Sequence, residues 1–168
     1  MLQPLDLLLA LKLAVNHEQF TQARLAGELG ISASQVNRAL KNCAHSGLLD
    51  KQTMTVRRDA LTEFLVHGAK YAFPARIGAM ARGMATAHSA PPLSRRIRSS
   101  GAPLVWPDPK GELRGETIGP LHKSAPFASR RDAKLYEALT LLDAIRVGRA
   151  RERNIASGLL AERVQNDR

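Results

Sequence analysis

Between Ser32 and Cys43 the chain sets Ser32, Ser34, Gln35, Asn37, Arg38 and Lys41 around the apolar positions Val36, Ala39, Leu40 and Cys43. At 3.6 residues per turn the apolar set forms one stripe, so the hydroxyls, amides and cations occupy the opposite face of the same helix. Those residue types suit a polyanion. Arg and Lys pair with phosphates, while Asn, Gln, Ser and Arg present the donors and acceptors that read base edges. Lys51, Arg57 and Arg58 follow within a short polar segment and extend the cations to where flanking phosphates would lie.

Other chemistries find less support. Histidines 17, 45, 67, 88 and 122 lie in separate segments without a close pair at metal-ligand spacing, so no metal and no cofactor is expected. Cys43, the single cysteine, shares the inward stripe near a helix C-terminus, which suits a core thiol better than a reactive thiolate. GAMARG, residues 78–83, has glycines at phosphate-loop separation but lacks the following Lys-Ser/Thr. Carboxylates are sparse and no nucleophile elbow occurs, so an enzyme is not expected.

The 168 residues carry a net charge of +10, with a sequence pI near 10.6, and both halves are basic. That balance favours nucleic acid first and an anionic surface second. Aromatics form only 4% of the chain, which leaves Leu, Ala, Val and Ile to build a mainly helical core. The opening MLQPLDLLLALKLAV lacks a cationic start, is interrupted by Asp6 and Lys12, and has no small-residue cleavage site, so a cytoplasmic chain is expected. No apolar run reaches the length of a membrane span.

The elements that must position the polar face follow from periodicity. Pro4 to Val15 reads as helix one; Thr21 caps a second helix with Leu25, Ala26 and Leu29 inward and Gly30 at its end; Ser32 or Ser34 caps the third, which Gly47 stops. Leu48–Asp50 and Thr53–Arg57 form two short strand-like pieces around a polar turn, and Asp59 caps a fourth helix with Leu61, Phe64 and Leu65 inward and Gly68 closing it. From 71 to 129 periodicity fails and prolines accumulate, predicting an extended or disordered segment, with a hairpin around Pro107 to Gly111 as its one candidate element. Helical spacing resumes with Leu135, Ala138, Leu139, Leu142 and Ile145, and after Gly148 with Ile155, Leu159 and Leu160. The arginine runs SRRIR and GRARER have three readings: a solvated surface, extra phosphate contacts, or a face for an acidic partner.

Small Ala26, Gly30 at the turn and Val36 on the following helix carry the helix-turn-helix signature, and residues 5–68 resemble the winged-helix domain of bacterial transcription regulators of the MarR and IclR class. The resemblance implies that the third helix enters the major groove and that the hairpin wing runs along the backbone. The expected architecture is therefore mainly α. It comprises a winged-helix domain over 1–70, a Pro-rich irregular segment over 71–130, and a helical dimerisation or partner region over 131–168. The expected function is sequence-specific binding of double-stranded DNA in transcription regulation, as a homodimer whose C-terminal stripe is buried between copies or, alternatively, against helix one. The rival expectation is an antitoxin-like protein that wraps a partner protein with its middle segment and regulates its own operon.

Overall fold

The computed structural model describes residues 1–99 and 101–166. Its centre is α1 (Pro4–Val15), whose Leu7, Leu8, Leu9, Ala10, Leu11 and Ala14 are wholly buried. A helix apolar on almost every face has no side to offer water, so other elements enclose it. Helix α2 (Gln22–Leu29) begins at Thr21, whose hydroxyl accepts Arg24 N–H, and ends at Gly30 with a left-handed φ of 68°. Helix α3 (Ala33–His45) packs its Val36, Ala39 and Cys43 on α1 and α2.

The expected winged-helix architecture is corrected here. A single bridge, Leu49 to Val56, stands where the hairpin wing was expected. Asp50 explains this, because its Oδ1 accepts from Gln52 N–H, Thr53 N–H and the Thr53 hydroxyl, which curls residues 50–55 into a compact turn and leaves no length for a ladder. Helix α4 (Arg58–Glu63) starts one residue before Asp59, which sits in its first turn rather than at its cap. The helix does not end at Gly68 but passes through a π-helical turn, Phe64–Gly68, into α5 (Ala69–Ala72).

The middle of the chain also departs from the expectation. In place of a Pro-rich irregular segment stand β1 (Ile77–Ala85), β2 (Leu104–Pro107) and β3 (Leu113–Ile118). β1 runs antiparallel to both others, and β2 and β3 pair in parallel, which closes a small three-stranded barrel. So tight a closure brings backbones together. A Cβ on Gly83 would overlap the Trp106 carbonyl oxygen, and one on Gly115 would overlap that of Pro103. The glycines that make closure possible are the residues that erase the strand pattern from the sequence.

Helices α6 (Ala125–Arg131), α7 (Ala133–Val147) and α8 (Ala150–Gln165) follow the barrel. The stripe Leu135, Ala138, Leu139, Leu142 and Ile145 is buried inside the chain, and α7 packs against α8 and α1. Of the two expected burials, packing on helix one is the one formed, so this stripe offers no face to a second copy. The sheet is tied to α7 by buried Asp143, which accepts from the Thr86 hydroxyl at 2.6 Å, Trp106 Nε1 at 2.7 Å and Arg146 Nη1 at 2.9 Å.

Candidate nucleic-acid interface

The polar side of α3 is built by its own cap. The Ser32 hydroxyl accepts Gln35 N–H at 3.2 Å and Gln35 Oε1 accepts Ser32 N–H at 2.9 Å, which satisfies two backbone donors at the helix start. Ser32 and Gln35 are thereby fixed in place, and the Ser34 hydroxyl lies 3.0 Å from that of Ser32. Behind them, burial of the Val36, Ala39 and Cys43 stripe turns Ser34, Arg38, Lys41 and His45 outward along one exposed ridge.

Helix α3 lines a cleft with each flank. Half-buried Asn37 and exposed Lys41 border a groove of about 860 Å³, whose far walls are His17 and Gln19 from the α1–α2 connection and Thr53 and Thr55 from the Asp50 turn. On the other flank Gln35, Arg38 and Asn42 border a cleft of about 500 Å³ that also reaches Gln3 and His122. The exposed ridge of α3 therefore lies between two clefts, with solvent on either side of Arg38 and Lys41.

The three cations expected on the wing part company. Lys51 is exposed in the turn, and Arg57 is exposed with Nη1 donating to the Gly47 carbonyl at 3.2 Å. Arg58 is drawn inward, where Nη1 donates to the carbonyls of Ala14 at 2.9 Å and Val164 at 2.5 Å. It joins the ends of α1 and α8, a structural role unlike the phosphate contact expected from the sequence.

What holds α3 in position comes from distant parts of the chain. The Phe127 ring of α6 covers the α2–α3 turn so closely that a Cβ on Gly30 would meet it at 2.7 Å, and Arg131 lies over the same ring at 4.4 Å. Buried Lys12 places Nζ 2.7 Å from Glu28 of α2 and 2.6 Å from Asp132, the residue that caps α7. Burial pushes the Asp132 carboxyl up, but Lys12, Leu135 N–H and Asn16 outweigh it and hold the group below its ordinary value. Lys12 likewise holds Glu28 below its ordinary value, against partial burial. The sequence showed Asp6 and Lys12 only as interruptions of an apolar run, and no periodic signal announces α6.

Cys43 is buried with Sγ donating to the Asp6 carbonyl at 3.2 Å, and burial pushes its thiol up to about 12. No thiolate forms there near neutrality. Among the described residues no three His, Cys, Asp or Glu side chains come together as a metal-binding group, and no helix is long and apolar enough to cross a membrane. The groove beside His17, Gln19, Thr53 and Thr55 escaped sequence reasoning because its walls come from two connections that carry no periodicity. Comparison with known proteins adds neither a relative nor a fold: no protein-family model, no curated protein and no solved structure matches the chain.

Proposed function

We propose that the chain binds double-stranded DNA sequence-specifically as a regulator of transcription, with α3 in the major groove. The observation that carries this reading is the exposed ridge Ser34, Arg38, Lys41, flanked by Asn37 and bordered by a cleft on each side. Such a helix brings Arg38 and Asn37 toward base edges, and Lys41, Lys51 and Arg57 toward phosphates. The net charge of +10 favours the same partner. The partner-wrapping alternative calls for a free middle segment, whereas Ile77–Ala85, Leu104–Pro107 and Leu113–Ile118 are strands of the barrel.

Selection of bound duplexes from a random pool at stated salt tests the reading, with enrichment of one short site as the expected result. On that site Arg38→Ala and Asn37→Ala are expected to weaken binding by about 1–3 kcal/mol each, and much less on random duplex. Equal losses on both DNAs, or no enrichment, would sink base reading.

A further inference from the structure

The two arginine runs lie some fifty residues apart in sequence, yet the fold sets one against the element that begins with the other. The helical turn at Leu93–Arg95 packs on α8, whose first turns carry Arg151 and Arg153 just after Arg149. Leu93 and Ile97 are buried at 0% and 9% exposure and Ile97 N–H donates to the Leu93 carbonyl, which pins the segment and leaves Arg95, Arg96 and Arg98 exposed. The arginines are held on an anchored backbone.

Their charge is not answered from within the chain. Among the described residues, Arg95, Arg96, Arg98, Arg151 and Arg153 make no side-chain ion pair or hydrogen bond, and Glu152, the only acid in the two runs, accepts Arg149 N–H at 3.1 Å as part of the α8 cap. Five guanidinium groups on two contacting elements outnumber the one carboxylate in their runs and repel one another, so the arrangement favours an external polyanion. The composition narrows the choice. Both runs use arginine and no lysine, and the planar guanidinium fork suits phosphate oxygens two at a time. The large apolar side chains exposed on the molecule, Met1, Tyr71, Ile77, Met80 and Phe127, all lie in other segments. Among the described residues, neither run itself therefore supplies a large exposed apolar anchor or an aromatic platform for unstacked bases.

We infer that this arginine surface binds the sugar–phosphate backbone of a nucleic-acid duplex, without reading sequence and separately from α3. It is a holding face. The test is titration of the full chain with a long random-sequence DNA duplex across a range of salt, in parallel with the same sequence as RNA duplex, with polyglutamate, and with anionic lipid vesicles. The variant Arg95→Gln/Arg96→Gln/Arg98→Gln is expected to melt as the wild type does, because all three side chains are exposed. It should flatten the slope of log K against log salt by about two to three on the DNA duplex, close to 0.9 per lost phosphate contact. The RNA arm decides which duplex is preferred. A slope unchanged by the triple variant, no binding of either duplex by the wild type, or equal binding and equal loss on polyglutamate or vesicles would overturn the inference. If Arg38→Ala and Asn37→Ala leave selectivity intact while the triple variant flattens the slope, the α3 reading fails and this one stands; the opposite pattern rejects only the arginine surface.

Discussion

Two buried charge clusters meet on α7, and they are built in opposite senses. At its start a cation, Lys12, lies between two carboxylates, Asp132 and Glu28, with side-chain exposures of 4%, 8% and 27%. Toward its end a carboxyl group, Asp143, lies among three donors, and its side chain and that of Arg146 are 2% and 5% exposed. The first cluster ties α7 to the pair α1 and α2 that supports α3; the second ties it to the three-stranded barrel. One helix thus fixes both halves, through an interaction partly open to water at one end and closed at the other. Water screens the open cluster and lets a lost partner be replaced, whereas the closed one has no substitute donor or acceptor.

Breaking the closed cluster has the largest expected effect. Asp143→Ala leaves Trp106 N–H, the Thr86 hydroxyl and the Arg146 guanidinium without their shared acceptor, and is expected to cost about 3–5 kcal/mol in denaturant unfolding. Trp106 is the chain's single tryptophan, so its fluorescence reports on this site directly. A cost under about 1 kcal/mol would mean that the barrel is not tethered here.

Lys12→Met removes the centre of the open cluster and leaves Asp132 near Glu28. The expected cost is smaller, about 1–3 kcal/mol, because Glu28 turns to water and keeps Arg24. A cost equal to that of Asp143→Ala would erase the distinction between the two sites.

Acid separates the clusters by sign. Asp132 and Glu28 have folded values below their unfolded ones, so their contribution is present above about pH 4 and is lost as pH falls through the lowered values. Burial pushes Asp143 up, against Arg146, Thr86 and Trp106, so its titration favours the folded chain below the unfolded value and this contribution fades as pH rises through the raised one. The stability difference between the wild type and Lys12→Met, measured downward from pH 5, is therefore expected to shrink, since Asp143 contributes equally to both. Parallel curves would show that Lys12 does not set the acid response.

The smallest effect is expected from Glu28→Gln, within about 1 kcal/mol, since the amide still accepts from Lys12 and the site is partly solvated. A loss matching that of Lys12→Met would mark Glu28 as the dominant partner.

What the sequence determined by itself is local. The stripe Val36, Ala39 and Cys43 fixed the helix and hence which side of it Ser34, Arg38 and Lys41 occupy; Ser32 fixed its start and Thr21 and Gly30 the bounds of the helix before it, because caps and left-handed turns involve residues only a few positions apart. The C-terminal stripe likewise announced a buried face, though not what would cover it. Tertiary structure alone decided the rest, since each feature joins residues distant in sequence. Gly83 and Gly115 carry no strand signal until Trp106 and Pro103 approach them. Arg58 looked like a surface cation until the carbonyls of Ala14 and Val164 came within reach. Lys12 and Asp132 are 120 residues apart, and no pattern read along the chain can record that a buried ammonium and its carboxylate neutralise each other only once α1 and α7 have packed.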